Sequence, residues 1–493
     1  MTISTHGALS RLHKFAGVII APFLIVAALS GFLYDLAPTF EPWIYHDEVT
    51  ATAPGNPRSL DEQIAAAQRE HPDGQVVQVE PSEDPQETTR VLFADPSAPN
   101  TSYTHAVFVD PVDLHITGEL QQYGGSRALP FRTWASNGHR TLWLGEPGRL
   151  YAELAASWLG ALSILGLYLW LKRKQKNRKR LSKPLTLHAR VGTWLLPGFL
   201  FLTITGLTWS LVAGTSIGKV REELNWKEPS VATSVAEVGA STETGEHSGH
   251  AGHKGHAGHA GHEGAAKLVG AQTALSAARS QGLTGVLEMT PPEKPGDAWG
   301  VREARAAFKL RSDAVAVTPN GEVIDRINSA DWPLAAQLTS WLIQLHMGTL
   351  FGIYSQVALA VLALGLLVVS IAGLWMWWKK PRRSLPELKI TPAVLAGVVA
   401  YSIIAPLFGA SLLLFFVGDW IVRRLRAPQR DRGAAAGEVT PRPRGESSSR
   451  SLSTVRNGSC PHNQSRLALG HCPVNRYAVR TFRWHPSRVP NHY

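Results

Sequence analysis

Four histidines stand where metal chemistry could be done, and they come in two matched pairs. His13, in Leu12-His13-Lys14-Phe15-Ala16-Gly17, is matched 175 residues on by His188, in Leu187-His188-Ala189-Arg190-Val191-Gly192. The same offset relates Pro22 to Pro197 and Gly31 to Gly206. At an offset of 207, His139 and Gly145 match His346 and Gly352. That register runs on through Gly166-Leu167/Gly373-Leu374, Trp170/Trp377 and Lys172/Lys379. Agreement over so many positions marks an internal duplication. Equivalent residues of two copies with the same topology face each other across the axis that relates them, at one depth. Two opposed imidazoles fill both axial positions of a haem iron, leaving no vacant site for oxygen and making electron transfer its natural role. The pairing predicts two bis-histidine haem sites, His13/His188 and His139/His346.

A flat macrocycle between helices needs room, and glycines stand where room is needed. Gly17 and Gly192 fall one helical turn beyond His13 and His188. Gly166 and Gly373 fall late in the returning hydrophobic segments, near the depth of the same histidines. All four are read as clearance for haem, and Gly31 and Gly206 approach the other pair in the same way. Small residues also serve simply for close helix packing in membranes, so the reading rests on their coincidence with paired histidines. The only cysteines, Cys460 and Cys472, stand in the tail, and no Cys-x-x-Cys-His motif occurs. Both haems would therefore be held non-covalently, as haem b.

The elements that must position these residues are membrane helices. Apolar runs over 15–34, 154–171, 194–211 and 355–378 approach or reach the roughly 20 residues that cross a bilayer. With their flanks they predict transmembrane helices at 8–35, 139–171, 188–211 and 346–378. A fifth apolar segment, 392–421, holds Pro406 and Gly409 in its middle. It reads either as one long tilted helix or as a re-entrant pair kinked at Pro406. The net charge of +11 is not a nucleic-acid footprint, because the basic clusters Lys172–Arg180 and Lys379–Arg383 directly follow apolar runs. Such clusters mark the cytoplasmic side. The amino terminus and the loop 172–187 are then inside, while 36–138 and 212–345 lie outside, in a periplasm. No nucleic-acid partner is expected; the lipid bilayer is. A metal transporter finds little support, since Asp35 and Asp419 stand only at span ends.

Both external segments read as small α+β units. In the first, Ser59 caps a helix beginning at Leu60, and strand-like runs follow at Val76–Glu80, Arg90–Phe93, Thr104–Val109 and near Gly118-Glu119-Leu120. The second repeats the plan, with a helix over Ala271–Ser280 and strands near Val286–Met289, Ala306–Leu310 and Ala314–Val317, the last entering a Pro319-Asn320-Gly321 turn. An insert carries His247, His250, His253, His256, His259 and His262 at every third residue among Gly and Ala. Its composition cannot form a core, and neutral imidazoles favour Cu, Zn or Ni. Residues 422–493 read as a disordered tail; Cys460, His462, His471 and Cys472 match no common zinc spacing. Neither cytoplasmic connection can hold a flavin or nicotinamide domain, so electrons must come from a quinol or a separate donor protein.

These motifs resemble those of the PepSY-associated transmembrane proteins, a family of bacterial inner membranes that includes PiuB-like and ferric-siderophore reductases. The resemblance rests on Leu12-His13 with Gly17, Asn137-Gly138-His139-Arg140 before Gly145-Glu146-Pro147-Gly148-Arg149, and Leu187-His188 with Gly192. It rests also on Leu345-His346-Met347-Gly348-Thr349-Leu350-Phe351-Gly352 and Pro406-Leu407-Phe408-Gly409-Ala410-Ser411. It covers roughly residues 8–421, without the His-rich insert. It implies PepSY-like domains outside the membrane, haem b on the four histidines and, in some members, reduction of ferric siderophores. The fold expected is a membrane α-helical bundle, four core helices in two duplicated pairs plus a fifth segment, with two external α+β domains. The function expected is reduction of a periplasmic metal complex, a ferric siderophore or a cupric ion. The alternative is a non-enzymatic protein that binds a periplasmic partner or buffers metal through its His-rich loop.

Overall fold

The computed structural model describes residues 5–173, 182–234, 268–294, 296–379 and 391–426. The basic runs at 174–180 and 381–383, the His-rich segment 247–262 and the tail from 427, with its Cys and His residues, lie outside the described residues. So does the side chain of Asp419. In chain order the first half holds α1 (Thr5–Ile44), α2 (His46–Val49), α3 (Leu60–Glu70), β1 (Val76–Glu80), β2 (Thr89–Ala94), β3 (Tyr103–Val109), β4 (Ile116–Tyr123), α4 (Pro130–Thr141) and α5 (Gly145–Leu171). The second holds α6 (Lys183–Trp194), α7 (Leu196–Leu207), α8 (Val212–Glu223), α9 (Ala271–Ser280), β5 (Leu287–Thr290), β6 (Trp299–Glu303), β7 (Ala314–Val317), β8 (Val323–Ile327), α10 (Leu334–His346) and α11 (Ile353–Trp378). Two further helices, α12 (Pro392–Ile404) and α13 (Pro406–Arg426), follow.

Among the described residues α1, α5 and α11 are each long and apolar enough to cross a membrane, and α6 with α7 makes a fourth crossing if the bent pair is one span. Packing joins α1 to α5 and α11, α11 to α6, and α5 to α7. This ring leaves α1 diagonal to α6/α7, as an axis relating two copies along the bundle requires. Ile20, Leu24, Trp158, Leu159, Phe199 and Leu366 fill its interior, while Ile19, Leu29, Ile204 and Ile371 are exposed on the outside, where lipid would solvate them. At 40 residues α1 is about 60 Å long, twice the bilayer core, so its last turns carry the chain well beyond the hydrocarbon. The third span is not the straight helix expected: the chain bends 62° between Trp194 and Leu196. Pro197, in the first turn of α7, has no N–H to continue the ladder and crowds the preceding turn.

The fifth apolar segment is likewise broken. Gly409 lies so close to Ser402 that an added Cβ would fall 2.7 Å from the serine side chain. Seven residues along a straight helix span about 10 Å, so the chain must fold back between them, at Ala405. This answers the choice left open by the sequence: α12 and α13 form a kinked pair, not one long tilted helix. Tyr401 donates to the Ser157 carbonyl at 2.6 Å and Trp158 donates to Ser411 at 2.9 Å, which fasten the pair to α5.

The two α+β segments are joined, not separate. Their strands form one antiparallel sheet of eight, in the order β4-β3-β2-β1-β5-β6-β7-β8. Val79 of β1 pairs with Met289 of β5 at the centre, so each half is a four-stranded meander and the order reads the same from both edges. Helices α3 and α9 cover one face and share a core of Leu60, Ile64, Ala274, Ala278, Val79, Met289 and Trp299. Ser59 caps α3 in a reciprocal box with Glu62. One expected strand is misplaced: 306–310 forms a turn, and the strand is β6, where Trp299, Val301 and Glu303 alternate inward. Phe308 adopts φ +61°, which a strand does not allow, and its N–H donates to the Leu350 carbonyl at 2.8 Å.

Candidate functional site

His13 sits on α1, about two turns from the start of the helix, and His188 sits on α6, diagonally across the ring. Their ring centres are 6.1 Å apart with planes nearly perpendicular. His139 and His346 do not begin the spanning helices, as expected from their spacing. Each lies at the end of a short preceding helix, α4 or α10. Left-handed turns then reverse the chain, at Leu142, Trp143 and Gly145 in the first copy and at Gly348 and Gly352 in the second. Helix α4 packs on α1 and α10 on α7, which brings His139 and His346 to 6.3 Å between ring centres. All four imidazoles are half-buried.

These distances can be tested against a metal. An imidazole bound through one nitrogen at about 2.0–2.1 Å has its centre roughly 3.2 Å from the ion, so two on opposite sides stand about 6.4 Å apart. Both pairs match that separation. Three of the four also have, at the other ring nitrogen, the kind of oxygen partner that fixes the tautomer of a ligating histidine. His139 Nδ1 lies 2.8 Å from the Ala27 carbonyl and His188 Nδ1 lies 2.9 Å from the Val369 carbonyl. His346 Nδ1 lies 2.6 Å from Thr205 Oγ1, whose own proton goes to the Phe201 carbonyl at 2.7 Å. In each case Nδ1–H donates, leaving Nε2 unprotonated and free to bind a metal. His13 Nδ1 is buried without a partner in hydrogen-bond geometry, although the neighbouring Leu162 carbonyl is the counterpart of Val369 at the 207 offset.

The glycines divide into two roles. A Cβ on Gly31 would lie 2.9 Å from His139 Nδ1, one on Gly166 3.3 Å from the His13 ring, and one on Gly373 3.7 Å from the His188 ring. These positions seat imidazoles, so for Gly166 and Gly373 the clearance is for the histidine ring itself. Gly17 has no neighbour within 4 Å and Gly192 meets only Val369 at 3.9 Å, which suits a flat macrocycle. Gly206 approaches Ala156, not His346. Beside His346 a small cleft of about 50 Å³ is lined mostly by apolar groups, among them Ile204, Trp209, Leu342 and Ile343.

Sequence reasoning passed over Thr205 and read Asp35 only as a residue at a span end. Thr205 matches Ser30 at the 175 offset, a signal that was available. Asp35 lies inside α1, one turn beyond Gly31, and is buried, 3% exposed. Neither of its carboxylate oxygens has a hydrogen-bond partner. It packs so closely on Gly348, two residues past His346, that no side chain could stand there.

A helical membrane bundle carrying an antiparallel sheet, with two copies of the same pattern about one axis, defines the class. The family model described as PepSY-associated TM region matches residues 10–380. The chain belongs to that family and is a membrane protein. No curated protein matches the sequence.

Proposed function

We propose that this protein is a di-haem b electron carrier of the bacterial inner membrane that reduces a metal complex, a ferric siderophore or a cupric ion, in the periplasm. The observation that carries the reading is the matched spacing of the two histidine pairs, 6.1 and 6.3 Å between ring centres, together with the Nδ1 partners that leave Nε2 for a metal. His13 and His188 would hold one haem, and His139 and His346 the other. Each haem supplies a one-electron centre when bound, with its potential set by its axial ligands and burial. The residues do the rest. Ala27, Val369 and Thr205 keep the imidazoles in the ligating tautomer. Gly31, Gly166 and Gly373 admit the rings, and the apolar bundle keeps water from both sites.

The two sites sit at different depths, because His13 and His188 meet the late residues Gly166 and Gly373 of α5 and α11 while His139 and His346 precede those helices. Electrons would enter near the basic, cytoplasmic end from a quinol or a separate donor and leave near the sheet. The test is stopped-flow reoxidation. Dithionite-reduced protein, freed of excess reductant, is expected to reoxidise on mixing with ferric siderophore or Cu²⁺ and to stay reduced with buffer alone. If neither metal complex reoxidises it, the reductase reading fails.

A further inference from the structure

A second cluster, on the sheet, has no part in that account. His71 ends α3 as its C-cap residue, and His105 and Glu119 lie on the neighbouring strands β3 and β4. Glu119 stands opposite Val107, a core residue beneath α3, and His105 is two residues before Val107. Both therefore point to the face that α3 covers, at the place where the helix stops. One ligand atom from each residue lies within 4.8 Å of the others. His105 Nε2 is 2.9 Å from Glu119 Oε2, and His71 Nε2 is 3.2 Å from Glu119 Oε1.

We propose that His71, His105 and Glu119 form a metal site for one divalent ion of the zinc–copper class, with its remaining position open to water or an incoming ligand. Tetrahedral ligands at about 2.0–2.2 Å from an ion stand roughly 3.3–3.6 Å apart, close to the two imidazole–carboxylate separations of 2.9 and 3.2 Å. Two imidazoles and one carboxylate are a donor set that such ions favour. His71 Nε2 is cut off from solvent and, despite its nearness to Glu119, makes no aligned hydrogen bond. That leaves a desolvated nitrogen beside the Glu119 carboxylate. The turn holding it is built: Gln68 Nε2 donates to the carbonyls of His71 at 3.0 Å and Gly74 at 2.9 Å, and the Phe93 ring packs 5.2 Å from the imidazole. All three side chains keep about a third of their surface exposed, so an ion has a way in.

The duplicated frame does not require this cluster. In the second half, the C-cap residue of α9 is Gln281, and Arg326 stands three residues past Val323 as Glu119 stands three past Ile116. There Arg326 simply donates to Gln281 at 2.8 Å. The imidazole–carboxylate set belongs to one copy alone, which is where a ligand, and not the fold, would demand it.

Equilibrium dialysis of the purified full chain against Zn²⁺, with bound metal counted by elemental mass spectrometry, tests this. It is run in parallel on the intact sequence and on one lacking 247–262, whose histidines would otherwise compete. His71→Gln and His105→Gln are each expected to remove one bound Zn²⁺ in both backgrounds. Glu119→Gln, which keeps the shape of the side chain, should weaken that ion at least tenfold. Zn²⁺ should raise the melting temperature of the parent and not of the variants. Equal Zn²⁺ content and affinity in parent and all three variants would overturn the site.

Discussion

At the scale of residues, a histidine becomes a ligand through its seat as much as through its position. His139 is placed by α4, but Gly31 gives its ring a place to lie and the Ala27 carbonyl orients it. The pairing makes a specific prediction. His13→Ala and His188→Ala should each remove the same component from the reduced-minus-oxidised spectrum, and His139→Ala and His346→Ala the other. If His13→Ala and His346→Ala removed one common component, the axis relating the copies would be drawn wrongly. The glycines can be separated in the same way. Gly31→Val places a carbon against His139 Nδ1 and should cost the second component while sparing the first. Gly17→Leu enters open space and should leave the protein folded, within about 1 kcal/mol of the parent, yet lose the first component; retention of haem would place the macrocycle elsewhere. The four histidines and their pairing were legible in the sequence because duplication repeats positions. The carbonyls of Ala27 and Val369 were not, since any residue supplies a carbonyl and only the fold selects one.

At the scale of elements, hydropathy and turn signals located most helices and strands but not their joints. The bend before Pro197 was missed because its duplicate, Pro22, lies inside the unbroken α1; the same residue in two packings gives a helix or a break. The strand placed at 306–310 failed because an apolar run alone does not make a strand: Phe308 turns with a positive φ, is exposed and packs beside Phe351 and Tyr354. The edge pairing of β1 with β5 leaves no pattern in either strand, since both read as ordinary half-buried strands. The sheet's second face hides a charge network that alternation alone cannot identify. Glu80 is fully buried, with Arg127 at 2.7 Å and Gln122 at 2.8 Å. Burial pushes its carboxyl up, but the charges of Arg127 and Arg90 and the hydrogen bonds outweigh this and hold it below the ordinary range. A folded value below the unfolded one stabilises the protein above about pH 4.3, and the gain is lost as pH falls through the folded value. Glu80→Gln should therefore cost about 3 kcal/mol at neutral pH, as a broken buried pair does, and blunt the acid limb of the stability curve. Thermal unfolding followed by tryptophan fluorescence at pH 7 and pH 4 reads both effects; a neutral-pH melt equal to the parent would contradict the account.

At the scale of the whole molecule, one twofold pattern organises both parts. The ring of spanning helices sets α1 diagonal to α6/α7, and the sheet reads identically from each edge. A duplicated chain thereby supplies opposed histidines twice from one ancestral arrangement. The His-rich segment stands outside this pattern. Deleting 247–262 is expected to leave membrane insertion and the haem spectrum unchanged while reducing Cu²⁺ or Zn²⁺ uptake in a calorimetric titration; loss of haem on deletion would mean that the ligands are misassigned. The central claim is that each histidine pair holds a haem, and the direct measurement is haem content. Protein purified from cells with ample haem supply, assayed as the pyridine haemochromogen, should give two haems b per chain with the spectrum of six-coordinate low-spin iron. A chain that folds in the membrane and contains no haem would contradict the account.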